Sequence, residues 1–234
     1  MKKQTKIFLL FAIVSPVLLT AESYKYSGKA GDLKSGKFLY TDNHIETRSE
    51  GKHLSSVITY RDAKGNVIAR KNIQFTKNSY LPDFELEDLR SGYIEGGVLQ
   101  GKSYKVYYKK DKNSEKKEKI LSLKGPSTAD GGFDHFVRKN WDDLISGKTV
   151  KFSFIAPSQL DQFDFLVSKI SSTSKTITLK MRIENFLLNI LVPPINIIYD
   201  SETKRIIQYE GISNINNEEG KSYFVKIVYD HLQN

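Results

Sequence analysis

Residues 129–148, ADGGFDHFVRKNWDDLISGK, form the one stretch in which apolar residues recur at a helical period; the rest of the chain reads as strands. Phe133, Phe136, Val137, Trp141, Leu144 and Ile145 stand at i, i+3, i+4, i+8, i+11 and i+12, so a helix over about 131–146 gathers them on one face. Such a face has to be buried. Asp130 is placed to accept from the free amides of the first turn, and Gly147 to take the left-handed conformation that ends the last one. Asp134, Arg138 and Asp142, with Lys139 and Asp143, fall on the opposite face at i,i+4 spacing, which suits a solvated surface. The expectation is one main α-helix lying across a sheet.

Outside this helix the period is two. Strands are expected at 37–48, 54–60, 67–75, 92–99, 103–109, 118–123, 149–155, 163–170, 176–184, 195–199, 205–210 and 223–229. Polar links such as Asp62-Ala63-Lys64-Gly65-Asn66 join neighbours in an antiparallel meander. In the strands at 54–60 and 67–75 neither face is purely polar, which predicts a curved sheet whose second face is partly covered. Residues 78–92, NSYLPDFELEDLRSG, lose the period around Pro82 and read as an ordered loop or a single turn. With no βαβ alternation, the fold class is mainly β: a single curved antiparallel sheet of about a dozen strands, half-barrel or barrel, packed on one helix.

The amino terminus predicts the compartment. Lys2, Lys3 and Lys6 precede an apolar run at 7–19, and Leu19-Thr20-Ala21 offers the small residues of a signal-peptidase site. That run holds 13 residues and Pro16, against roughly 20 needed to span a bilayer. Residues 1–21 are therefore read as a cleaved signal peptide and 22–234 as one exported, soluble domain, periplasmic or secreted. The sequence contains no cysteine, which excludes disulfides, thiolate metal sites and a lipidated amino-terminal cysteine.

The 36 basic and 27 acidic residues give +9, and removing the three signal lysines leaves +6. Residues 102–124 hold nine lysines and three acids, also +6, so the excess has one address. Lys109, Lys110, Lys112, Lys116, Lys117 and Lys119 form the candidate patch: either a solvated hairpin tip or an attractor for an anionic membrane surface. No basic helix or recognition motif accompanies it, which argues against nucleic acid.

Chemistry is sparsely signalled. No nucleophile elbow, H-E-x-x-H or phosphate loop occurs, so no catalytic residue, cofactor or metal site is expected. The four histidines look scattered. His44 shares a strand face with Asp42 and Glu46, a trio that can bind a metal or move a proton, although a solvated strand edge accounts for it more simply. The anomaly is 186–194, FLLNILVPP: Phe186, Leu187, Leu188, Ile190, Leu191 and Val192 make either a buried crossover or the lip of an apolar site.

The signal peptide, Phe133-Asp134-His135-Phe136-Val137 with Trp141, Phe163-Asp164-Phe165, and Ile198-Tyr199-Asp200 through Tyr209-Glu210-Gly211-Ile212-Ser213-Asn214 together resemble an exported bacterial family of unknown function. More distantly, many antiparallel strands wrapped on a helix are similar in architecture to periplasmic carriers of the LolA and LolB type. That resemblance implies an apolar half-barrel for acyl chains. The expected function is a binding module for a lipid or other amphiphile. The alternative is an interaction protein working through a sheet edge or surface patch.

Overall fold

A computed structural model describes residues 21–185 and 192–231. The strands are β1 (Glu22–Asp32), β2 (Phe38–Ser49), β3 (Lys52–Arg61), β4 (Val67–Gln74), β5 (Asp83–Asp88), β6 (Tyr93–Gln100), β7 (Ser103–Lys109), β8 (Lys117–Ser122) and β9 (Ser127–Ala129). Helices α1 (Gly132–Lys139) and α2 (Trp141–Ile145) follow, and then β10 (Val150–Ala156), β11 (Asp161–Ser172), β12 (Thr176–Ile183), β13 (Ile195–Asp200), β14 (Ile206–Asn216) and β15 (Ser222–Asp230).

All the strands join one sheet, ordered β8-β7-β6-β5-β4-β3-β2-β1-β15-β14-β13-β12-β11-β10-β9. Two meanders are thus welded where the first strand pairs the last, with Gly28 opposite Tyr229. Every pairing is antiparallel except β9 with β10. Twist accumulating over so many strands curls the sheet, and register shifts on several pairs, as at Thr47/Arg48 and Ile198/Tyr199, sharpen the bend. The two edge strands do not hydrogen-bond to each other. The ends meet through side chains instead: Gln162 Nε2 donates to the Ser122 carbonyl at 2.7 Å, and the turn Pro157–Gln159 packs on β6 and β7. The result is barrel-like with an open seam.

The helix is not continuous. Asn140, at φ −98° and ψ 18°, separates α1 from α2, and its Nδ2 donates to the Phe136 carbonyl at 2.8 Å, capping α1 from within. Gly147 adopts the expected left-handed conformation, φ +94°. Asp130 does not cap the first turn. Its Oδ1 accepts from the neighbouring Gly131 amide, and its Oδ2 pairs with Lys71 of β4 at 2.6 Å, tying the start of α1 to the sheet. Gly132 completes that junction, because a Cβ there would sit 2.1 Å from the Tyr80 carbonyl oxygen.

Burial divides into two cores. Phe133, Phe136, Val137, Trp141 and Leu144 pack on Phe152, Val167, Leu179, Met181, Ile197 and Tyr199. Tyr40, Ile58, Ile73, Leu86, Tyr104, Val106 and Ile227 form the other, under the first meander. Ile145, expected on the buried face, is 38 % exposed, because the break at Asn140 turns it outward. The expectation of a covered second face is also corrected: Ile45 and Val57 on the outside are exposed, whereas the inside carries polar residues. Residues 78–92 contain β5, whose inner positions Phe84, Leu86 and Asp88 are all buried. The last of them, an aspartate paired with Arg90 at 2.5 Å, disguised the alternation.

Candidate functional site

β2 is a central strand, flanked by β1 and β3, and its inward positions include Asp42, His44 and Glu46. All three are buried, at 4 %, 9 % and 5 % exposure, so the expectation of a solvated strand edge is overturned. Gly28 on β1 makes this possible: a Cβ there would lie 2.0 Å from Asp42 Oδ1. His44 Nε2 stands 3.1 Å from Asp42 Oδ2, and its ring stacks on Tyr26 with centroids 4.3 Å apart. Tyr26 in turn touches His231 at 4.9 Å. Burial, with Glu46, Asp134 and Asp42 nearby, raises the Tyr26 phenol well above its ordinary pKa, so it stays a neutral donor.

Glu46 points to arginine rather than to His44. Arg48 donates to Glu46 Oε2 from Nη2 at 2.6 Å and from Nε at 3.0 Å, and Arg205 reaches the same oxygen at 4.0 Å. Both guanidinium groups flank the Tyr24 ring, at 5.8 and 3.7 Å from its centroid. Burial opposes the Glu46 charge, but His53 when charged, Arg48 and Arg205 outweigh it and hold the carboxyl below its usual pKa.

The other wall is α1. Lys139, with Asp142 and Asp143 on α2, is exposed as expected, but Asp134 and Arg138 are half-buried, as is His135. Arg138 pairs with Asp134 at 2.7 Å. His135 Nε2 lies 3.1 Å from His53 Nδ1, and both imidazoles rest on Phe75. His53 Nε2 faces the Ser55 carbonyl at 3.1 Å, which only accepts, and the Ser56 hydroxyl at 2.8 Å, which can donate or accept, so two tautomers satisfy these partners and one proton is shared between His53 Nδ1 and His135 Nε2. The four histidines, far apart in sequence, therefore line one interior belt with three arginines and three carboxylates of balancing charge.

Among the described residues, Asp42 Oδ1, His44 Nε2, Asp134 Oδ1, Arg138 Nε and His231 Nδ1 of this belt are buried without a hydrogen-bond partner, so His44 and Asp42 stand at ion-pair distance without a hydrogen bond. No group of three or more His, Asp or Glu among those residues is placed to hold a metal ion. What the belt can do is hold α1 against the sheet by polar, titratable contacts on one side while apolar packing holds it on the other. It can also store or pass a proton between imidazoles.

Burial pushes His53 down to about 4, with His135 and Arg48 adding to the effect against Glu46, and burial lowers His135 as well. Both shifts favour the neutral ring in the folded state. As pH falls from about 6.5 to about 4 the unfolded chain takes up protons that the folded chain refuses, so stability falls with pH. Allowing for partial exposure, His53 contributes on the order of 2 kcal/mol to that loss. Glu95 acts oppositely: burial raises it to about 7, so it destabilises the fold as pH rises from about 4.5 to about 7. In a Glu95→Gln background the melting temperature should therefore rise monotonically from pH 4 to 7, and adding His53→Gln with His135→Gln should flatten the slope. An unchanged slope would exclude the pair as its source.

The remaining candidates are placed as follows. Lys109 ends β7 and is half-buried; Lys110, Lys112 and Lys116 lie in the connection; Lys117 and Lys119 stand on β8, which brings the patch to one sheet edge. Phe186, Leu187, Leu188, Ile190 and Leu191 lie outside the described residues, and Val192 is half-buried. At the seam is a cleft of about 330 Å³ lined by Lys124, Gln162, Phe163, Asp164, Ile183, Glu184 and Asn185. No family model matches the chain. No curated protein matches it either. Among solved structures it is similar to a beta-barrel-like protein of a domain of unknown function, DUF1849, from Brucella abortus. That likeness covers 92 % of this chain and 99 % of the other, at 11 % identity and a TM-score of 0.42.

Proposed function

We propose that this chain is an exported binding module that takes the apolar or acyl chain of an amphiphile at the seam of its curled sheet. The seam cleft carries the reading. It opens where Gln162 bridges to Ser122 and the backbone ladder does not close, and Phe163 and Ile183 line it with Lys124 beside them. Its volume lies at the lower end of small-molecule sites, and Phe163 and Ile183 supply its apolar contact; the rest of the lining is polar, with Asp164 and Glu184 paired to Lys151 at 3.2 and 2.5 Å and Lys124 beside them. The centre of the barrel, where a carrier of the LolA type would hold its ligand, is filled by α1 and the two cores, so the ligand is assigned to the seam. In the sequence the cleft residues Ile183, Glu184 and Asn185 run directly into the apolar stretch at 186–191. The signal peptide supplies the export half of the reading.

Phe163 is half-buried, so Phe163→Asp should leave the melting temperature within a few degrees of wild type. It should lower affinity for a fluorescent C16 fatty acid at least about tenfold, since each methylene returned to water costs roughly 0.8 kcal/mol. Titration of the processed chain checks this, and equal affinity in the two proteins would reject the cleft as the site. The reading as an interaction protein rests on a different observation, the bare β8 edge.

A further inference from the structure

The two edges of the sheet are finished differently. β9 is three residues long and wholly buried, and the Ala129 amide is satisfied by the Tyr80 carbonyl at 3.0 Å. β8 is six residues long, pairs only with β7, and runs from Ser103↔Ser122 to Tyr108↔Lys117 without a bulge. It contains no proline. Lys117, Glu118, Lys119 and Ile120 are all exposed, and Ile120 at 64 % is the most exposed large apolar residue among those described. The Ser122 carbonyl at the seam end accepts from Gln162, and the rest of this unbulged ladder is open as a template for another strand.

Charge selects the occupant. Lys110, Lys112, Lys116, Lys117 and Lys119 are exposed along the edge and its tip, while Glu118, the strand's one acid, is already held by Lys105 at 2.6 Å and Lys116 at 3.6 Å. A second copy would bring the lysine-rich edge and tip of one chain up to those of the other, and that like charge disfavours edge-to-edge pairing of identical copies. Alternation puts Lys117 and Lys119 on the face of Leu121, and Ile120 on the face of Lys105. The strand lysines therefore stand on one face of the edge and Ile120 on the other, an alternation matched by a strand of alternating acidic and apolar residues, whereas a membrane surface would neutralise the lysines while leaving the ladder unpaired. We propose that β8 is a docking strand for an extended acidic segment of a partner protein, which pairs with its free backbone edge, meets its lysines and covers Ile120.

The test is fluorescence anisotropy of the processed chain with a labelled peptide, Glu-Val-Asp-Ile-Glu-Val-Asp, at low salt. Saturable binding is expected. N-methylation of alternate peptide amides, which keeps every charge and removes the ladder, should weaken it at least about tenfold, as should Lys117→Glu combined with Lys119→Glu; both positions are exposed, so the fold should persist. Three outcomes overturn the proposal. The first is absence of saturable binding; the second is equal affinity for the methylated peptide; the third is equal affinity in the double variant. Phosphatidylglycerol vesicles run in parallel identify the alternative: vesicle binding lost in the double variant, with no preference for the unmethylated peptide, makes the edge a membrane contact.

Discussion

Lys71→Met is expected to cost about 3 to 5 kcal/mol of folding stability, enough to threaten a domain with roughly 5 to 15 in hand. Lys71 is 5 % exposed, and its ammonium meets Asp130 Oδ2 at 2.6 Å. Glu95, 8 % exposed, also feels this cation, and it accepts from the Tyr93 hydroxyl at 2.8 Å. Removing the ammonium leaves the largely shielded Asp130 uncompensated at the residue from which α1 departs, and it withdraws the attraction that partly offsets Glu95's burial. The double variant Lys71→Met with Asp130→Asn removes both charges and should recover most of the loss, because a neutral pair needs no desolvated counter-ion. Denaturant midpoints for the two variants decide it. A single variant as stable as wild type, or a double variant no better than the single, would show that the pair does not anchor the helix.

The same buried charges explain why the sheet was legible in the sequence and the belt was not. β12 alternates Ile177, Leu179, Met181 and Ile183 with polar residues, all four are buried, and the pattern could be read without the structure. On β2 and β4 the inner positions include Asp42, His44, Glu46 and Lys71, so the polar residues that mark an outer face in an ordinary strand sit on the inner one. The mixed pattern was visible, but its meaning depends on what lies opposite. Asp134, His135 and Arg138 on α1 supply the answer, and no spacing within one chain says that a helix face and a strand face more than 80 residues apart will meet. β1 escaped for a related reason, since its inner positions include Gly28 and Ala30, which give little apolar signal. The seam is likewise a property of how the two meanders come round, fixed by contacts such as Gln162 with Ser122 rather than by either segment.

Trp141→Ala should cost about 3 to 5 kcal/mol, and its comparison with Ile145→Ala separates the broken helix from a continuous one. Trp141 opens α2, is 5 % exposed, and meets Tyr199 edge-on with centroids 5.7 Å apart. It packs among side chains of the second core, which includes Phe152, Leu179 and Ile197, and these cannot collapse into the space an indole leaves. Ile145 would share that face if the helical period ran unbroken from Phe133, and its truncation would then also be expensive. Because Asn140 interrupts the period, Ile145 is 38 % exposed and Ile145→Ala should cost under about 1 kcal/mol, with the exposed Lys139→Ala under about 0.5. Thermal unfolding of the three variants gives the order Trp141, then Ile145, then Lys139. Near-equal losses for Trp141 and Ile145 would mean that one helix, straight through Asn140, fills the barrel. The break would then have to be abandoned, and with it the present placement of α2 against β11 and Tyr199.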